Sequence, residues 1–423
     1  MKIVITSDIY YPMTNGVAVF AHNLALGLAK RGHEVMVICP SFTGKKYRHK
    51  QDGVTTVHLK SIRFPFYPDQ INKVPEKKMI FGKRLPQIAY KHGIWAAPYP
   101  YPEIKRVLKK FQPDVIHNQT AETIAIAATA YARLNNVPLV ATGHAYPDNV
   151  TGQFKALKPI KRPLDAVLRT YMASFLKHSE YATMPTEIAI DDLIPKNRKH
   201  FKVPVEPLSN GVDLSSFSPG KASPKIYKKY NLPEAQPIVL YVGRVDPEKS
   251  IAKVVEAFAT VVQKIPDAIL VIAGDGTDKP HLSDLAKYLN LENSVKFLGK
   301  VMPPDLMEIY KTGSIFATAS KTETQGIVLI EAAATGLPLV AVDAGAVREL
   351  CQNKRNGFLC KPDDTDEIAK SIIKILSNKE LHKKFSKESL EIAKNHDLQR
   401  TLDRFQEIYA EAIRLKNVPK NKR

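Results

Sequence analysis

The sequence predicts two doubly wound α/β domains in tandem, and three observations carry that prediction. Short apolar runs alternate with helical stretches along the whole chain. These runs lack polar alternation, as strands of a parallel sheet covered on both faces do. The pattern stops near residue 208 and begins again, in a chain whose 423 residues are too many for one hydrophobic core.

The elements follow in order. "KIVITSD" opens the first half as a strand, and a helix runs from about Gly16 to Arg31. "HEVMVICP", "VTTVHLK" and "PDVIHNQ" are the next strands, followed by a helix over 121–135 and the strand "VPLVATGH". The second half repeats the alternation with "PIVLYVGR", "AILVIAGDG", "VKFLG", "SIFATAS", "LPLVAV" and "GFLC", separated by helical stretches such as 250–264 and 280–289. The stretch 203–220, rich in Pro, Ser, Gly and Asn, reads as the boundary. The expected domains are residues 1–207 and 208–397, with a last helix over 398–415 packing back on the first domain. A basic tail, 416–423, is expected to fray.

Composition narrows the function classes. A hydrophobic fraction of 44% and a charged fraction of 25% are those of a soluble globular protein. No run of about 18 apolar residues predicts a membrane span, and the start lacks the h-region of a signal peptide. Cys39, Cys351 and Cys360 form neither a disulfide framework nor a metal knuckle, so small buried thiols in a reducing cytoplasm are expected. The net charge is +20. Residues 1–206 hold 30 Lys and Arg against 15 Asp and Glu, and the remainder 32 against 27. The basic first half suits an anionic partner: a membrane surface, nucleic acid or a phosphorylated substrate.

Doubly wound sheets bind ligands at the carboxyl ends of their strands, so candidate residues are sought there. Gly16 opens a helix after the first strand, where its missing side chain serves either turn geometry or a phosphate at the helix N-terminus. Arg244 and Lys249 follow the first strand of the second half, as a diphosphate clamp or as a solvated pair bridging Asp246 and Glu248. Gly274 and Gly276 form a weak GxG after another strand. His144, with His117 behind it, ends a strand as an acid–base candidate or a structural histidine. "KPDDTDE" (361–367) reads as an acidic helix N-cap rather than a metal site. No Ser-His-Asp order, HExxH or Walker loop appears.

The segment "SKTETQGIVLIEAAATG" (320–336) holds two glutamates eight residues apart. Thr322 and Gln325 have the spacing of a capping box, which starts a helix near Thr324. Glu331 lies among Ile327, Val328, Leu329, Ile330 and Ala332, in a helix apolar nearly all round, and a buried carboxylate needs partners. Eight helical residues rise about 12 Å, the length of a nucleotide diphosphate-sugar. Glu331 would then meet a ribose, and Glu323 the other end.

These residues together resemble the retaining glycosyltransferases of family 4, with the GT-B fold of two Rossmann-like domains facing a central cleft. The resemblance spans almost the whole chain, from "SDIYYPMTNGVAVFAHNLALGLAKRGHEVMVICP" through "VLYVGRVDPEKSI" to "ETQGIVLIEAAATGLPLVA", its most specific part. It implies that Arg244 and Lys249 hold the donor diphosphate, Glu331 the ribose and Glu323 the transferred sugar. The amides of Thr324, Gln325 and Gly326 would touch that sugar, with Gly16 and Gly274 beside the donor and His144 near the reacting centre. The family often has Thr after this His and a Tyr-Glu-Asp-Tyr run beyond it, where this chain reads "HAYPDNV". The resemblance implies a UDP- or GDP-sugar donor, no cofactor and no metal, and front-face attack with retained configuration.

"TETQG" and "SIRFPFYPDQINKVP" look most like members that glycosylate membrane lipids such as diacylglycerol or phosphatidylinositol. Basic and apolar residues also mingle over 76–95 and over 155–177, where Leu164, Val167, Leu168, Tyr171 and Phe175 recur at helical spacing. That stripe either meets an anionic membrane or faces the core. The expected protein is cytoplasmic and peripheral at the inner face of the membrane. Transfer to a soluble sugar or polysaccharide and nucleotide-sugar 2-epimerisation are the alternatives. No nucleic-acid-binding module is present.

Overall fold

The apolar run Lys2–Thr6 forms β1 and later ones form β2 (Glu34–Pro40) and β4 (Val54–Leu59), with the polar strand β3 (Tyr47–Gln51) between them. Between β1 and β2 lies helix α1 (Gly16–Lys30), whose start is capped by the Asn15 side chain accepting from the Ala18 amide at 2.9 Å. A short ribbon pairs β5 (Ile62–Arg63) with β6 (Trp95–Ala96). Helix α2 (Tyr101–Phe111), β7 (Val115–Asn118), helix α3 (Thr123–Leu134) and β8 (Leu139–Thr142) follow. The helix Lys161–Lys177, β9 (Tyr181–Met184) and β10 (Val205–Pro207) complete the first sheet. The computed structural model describes residues 1–11, 13, 15–63, 95–147, 151, 159–194 and 201–417.

The chain divides into two units. One takes Met1–Pro147, Ile160–Leu208 and Thr401–Arg423, and the other is built on Ser209–Arg400. The first unit holds an eight-stranded sheet in the order β10-β9-β8-β7-β1-β2-β4-β3. It is parallel except at β3, which runs antiparallel to β4. The sequence reading missed β3 because its residues, YRHKQ, carry no apolar run; they alternate between half-buried and exposed, as on an edge strand with one wet face. It also read Val205–Pro207 as part of a linker, where it is a strand beside β9.

From Thr401 on, the helix Leu398–Asn417 packs in the first unit. Phe405 lies 5.9 Å from Phe20 by ring centroids, and Lys416 pairs with Glu180 at 3.0 Å. Arg404 grips Glu206 with two bonds of 2.7 and 2.8 Å.

The second unit holds a six-stranded, wholly parallel sheet in the order β13-β12-β11-β14-β15-β16. Its strands are β11 (Ile238–Val242), β12 (Ile269–Ala273), β13 (Val295–Gly299), β14 (Ile315–Thr318), β15 (Leu339–Val342) and β16 (Gly357–Cys360). β11, β12, β14 and β15 are buried along their whole length, which is why they read as unbroken apolar runs. Two apolar clusters fill the two faces of this sheet, one around Phe258 and Phe385 and the other around Tyr310 and Phe316.

The predicted start of the glutamate helix needs correction. The helix runs Ile327–Ala334, and its N-cap is Gly326 at φ +86°, a left-handed conformation that suits glycine. No side chain caps it. Thr322 and Gln325 therefore form no capping box, and the span from Glu323 to Glu331 is loop for its first half. The 12 Å helical separation does not apply.

Candidate active site

The strand order of the second unit reverses between β11 and β14: the chain builds outward from β11 through β12 and β13, then returns to its other side. In an open parallel sheet the loops at such a switch point diverge and leave a crevice. Arg244 and Lys249 follow β11, and Glu323 follows β14. The structure brings them together. Lys249 Nζ donates to Glu323 Oε1 at 2.6 Å, with only 14% and 18% of the two side chains exposed. The Arg244 guanidinium donates to both Asp246 and Glu248. Asp246 is fixed in turn by the Thr277 amide and hydroxyl, both 3.0 Å from its Oδ1.

Burial works against charge on Glu323, but the Lys249 ammonium, its hydrogen bond and the Arg244 charge outweigh it. The carboxyl is held below its ordinary range. Two cations and three carboxylates thus interlock at the switch point, and an anion entering here would exchange partners with Glu323, Asp246 and Glu248.

Glu331 has a different partner. The Tyr310 hydroxyl, from the helix Asp305–Thr312, donates to Glu331 Oε2 at 2.6 Å. Burial still dominates and pushes the Glu331 carboxyl up to about 7, against the pull of that bond. This answers how the apolar helix tolerates a carboxylate: one oxygen is satisfied by a buried phenol. Tyr310 is held by Phe217 at 5.6 Å and Phe316 at 6.3 Å between ring centroids.

Thr324, Gln325 and Gly326 form the loop between the two glutamates. The Gln325 side chain is buried and bonded at both ends, accepting from the Asn210 amide at 3.1 Å and donating to Ser209 Oγ at 2.6 Å. Gly274 has a packing reason: a Cβ there would stand 1.8 Å from the Gly243 carbonyl oxygen.

The first unit has its own switch point, where β1 pairs with β2 on one side and β7 on the other. Gly16 is exposed at the start of α1. His144 packs on Phe20 of α1 at 5.2 Å, and its Nε2 meets Gln119 Oε1 at 2.8 Å. Gln119 Nε2 reaches His117 Nε2 at 3.0 Å, and His117 Nδ1 meets the Tyr409 hydroxyl at 2.8 Å. This chain of bonds sets the tautomers. Gln119 donates to His117, so its oxygen accepts from His144, whose Nε2 carries the proton and whose Nδ1 is an acceptor. Burial pushes His144 down to about 3, so the ring is neutral at physiological pH. It can accept a hydrogen bond there but brings no proton. Asp8, directly after β1, receives bonds from Thr120 and Thr123, both at 3.2 Å, and from the Ile124 amide at 3.3 Å. Burial and then the Glu122 charge push it up to about 7.

With this geometry in hand, comparison with known proteins assigns the family. The profile "Glycosyltransferase Family 4" matches residues 14–216, and "Glycosyl transferases group 1" matches residues 222–391. The chain is a family 4 glycosyltransferase. The transferase is 28% identical to the alpha-monoglucosyldiacylglycerol synthase of Streptococcus pneumoniae over 85% of this chain and 75% of that one. It is 24% identical to the N-acetyl-alpha-D-glucosaminyl L-malate synthase of Bacillus anthracis over 96% of each. An Anabaena protein solved in complex with UDP and glucose superposes with a TM-score of 0.70 at 19% identity, over 97% of this chain and 99% of that one. The fold is GT-B, as the sequence motifs implied.

The sequence reading of the transferase overlooked Asp8, Gln119 and Tyr310. Asp8 and Gln119 each follow a strand at the switch point of the first sheet, and that position was the signal. Tyr310 gave none: it reaches Glu331 across 21 residues of chain from a helix the sequence reading did not single out.

Proposed function

We propose that the transferase moves a hexose, glucose or mannose, from a UDP- or GDP-sugar to the hydroxyl of a membrane lipid with retained anomeric configuration. The observation that carries the donor side is the Arg244, Lys249 and Glu323 cluster at the switch point of the second sheet. In this reading Arg244 and Lys249 take the diphosphate, whose charge replaces that of Asp246, Glu248 and Glu323. Glu323, released from Lys249, accepts from the sugar hydroxyls beside the Thr324–Gly326 amides, and Glu331 accepts from the ribose. The bond from C1 to the phosphate oxygen breaks as the acceptor oxygen bonds C1 on the same face, and the acceptor proton passes to the departing diphosphate. The two side-chain cations stabilise that diphosphate without a divalent metal. The relative solved with UDP and glucose supports the donor class.

The acceptor side rests on the helix Lys161–Lys177. Leu176 is its one buried residue; Val167 and Tyr171 are exposed, as is Ile160 before it. Within the stripe 164–175, Val167 and Tyr171 face outward, Leu164 and Leu168 are half-buried, and Phe175 packs against the core. Ala166, Val167, Thr170, Tyr171 and Ser174 line a shallow depression of about 550 Å³, and Arg162 and Lys177 are exposed on the same helix. Exposed apolar side chains flanked by cations suit the interface of an anionic bilayer. The basic stretch 76–94 lies outside the described residues. Among the described residues no helix is long and apolar enough to cross a membrane. The synthase relative from Streptococcus pneumoniae, named for a glycosylated diacylglycerol, supports this reading. The full-length match to a synthase named for malate favours a second one, transfer to a soluble hydroxyl acid.

One experiment separates them. The purified protein is incubated with radiolabelled UDP-glucose or GDP-mannose and either diacylglycerol in anionic vesicles or malate. Label in the organic phase supports the lipid reading. Label only in the aqueous phase with malate present refutes it.

A further inference from the structure

The loop that carries Glu323 is tied by one side chain to two of the places where the chain passes between its two units, near Ser209 and near Arg400. The chain enters the second unit at Ser209 and leaves it at Arg400. Gln325, two residues after Glu323, accepts from the Asn210 amide at 3.1 Å and donates to Ser209 Oγ at 2.6 Å, on the entering strand. Ser209 Oγ also accepts from the Gly211 amide at 3.1 Å and lies 2.9 Å from His396 Nδ1, on the leaving strand. Ser209 Oγ thus takes the Gln325 and Gly211 donors and stands within hydrogen-bond distance of His396 Nδ1. Burial, then the Arg400 charge, hold His396 down at about 4, so its ring is neutral at physiological pH. The two strands are also joined directly: the Val212 amide donates to the His396 carbonyl at 2.8 Å, and the Leu398 amide to the Val212 carbonyl at 3.0 Å.

Nothing about binding a donor requires this arrangement. The Gln325 side chain is 1% exposed, and both its ends are bonded within the chain. An apolar side chain at 325 would fill the same space. A buried amide costs free energy unless fully bonded, and this one finds its partners on the crossings rather than within its own loop.

We propose that Gln325 is a positioning residue that couples the occupied state of the Glu323 loop to the two chain crossings through Ser209 and His396. When a donor draws Glu323 away from Lys249, the loop shifts, and the Gln325 amide carries that shift to residues 209–212 and 396–398. These two crossing segments then respond to the donor. The inference rests on reading Glu323–Gly326 as the donor loop.

The test is hydrogen exchange on the full chain with and without saturating UDP, and again with GDP. In the unaltered protein, nucleotide is expected to slow exchange in peptides covering 320–328, 209–214 and 394–400 together, by roughly two- to tenfold at the crossings. In Gln325→Leu the slowing at 320–328 persists and that at the crossings disappears. Ser209→Ala, which keeps the Asn210 bond, loses the response at 394–400 and retains it at 209–214. It serves as the check should the leucine variant fold poorly. Equal slowing at the crossings in both variants and the unaltered protein overturns the coupling. If neither nucleotide changes the 320–328 peptide of the unaltered protein, the donor-loop reading falls and the coupling with it.

Discussion

Replacing Glu331 by Gln should make the protein more stable and less active, and the size of both effects follows from its surroundings. Burial pushes the carboxyl from 4.5 up to about 7, although Tyr310 donates to it at 2.6 Å. Each unit of pKa is worth about 1.4 kcal/mol. The rise therefore corresponds to a ceiling of about 3 kcal/mol of lost stability once the group is ionised. The sign follows from linkage. A carboxyl whose folded pKa is raised contributes fully below its unfolded pKa of 4.5, and that contribution is lost as pH rises through about 7. Glutamine keeps the oxygen that Tyr310 bonds and carries no charge. Urea unfolding at several pH values should show the variant about equal to the unaltered protein near pH 4. At pH 8 it should be more stable by about 1.5–3 kcal/mol. Donor KM, measured in parallel, should rise at least about tenfold at pH 8, because a charged hydrogen bond to the ribose is worth about 1.5–3 kcal/mol. A stability gap independent of pH would refute the burial argument, and an unchanged KM would refute the ribose assignment.

Further outcomes follow from the other contacts. Lys249→Met leaves the Glu323 carboxylate without its counter-charge and should cost about 2 kcal/mol of stability, most of it restored by adding Glu323→Gln; a double-mutant cycle measured by urea unfolding checks this. Gly274→Ala places a methyl 1.8 Å from the Gly243 carbonyl oxygen and should cost at least about 2 kcal/mol or abolish folding, read by circular dichroism. In the pH dependence of kcat/KM, His144, held at about 3, contributes no limb near neutrality, whereas Glu331 and Asp8 both titrate near 7, so a limb there that Glu331 carries is lost in Glu331→Gln and one that Asp8 carries persists. Val167→Asp and Tyr171→Asp should cut sedimentation with anionic vesicles several-fold and leave UDP binding unchanged, because both residues are exposed on a helix of the first unit.

The sequence by itself determined the parallel sheets and the family. β11, β12, β14 and β15 are covered on both faces and spell that condition in unbroken apolar residues. Arg244, Lys249 and Glu323 were legible because each stands within a few residues of a strand's carboxyl end, a position that local sequence reveals. β3 was not legible, since an antiparallel edge strand needs no apolar run. The tertiary structure alone decided what each group faces. Whether Lys249 meets solvent or Glu323 depends on two strands far apart in sequence becoming neighbours in the sheet. Whether Glu331 could be half-buried depended on Tyr310, which no spacing rule connects to it. Gln325 had the spacing of a cap, and the fold used it instead to hold Ser209 and Asn210, because a buried amide takes the partners that packing brings within reach rather than those its neighbours in sequence suggest.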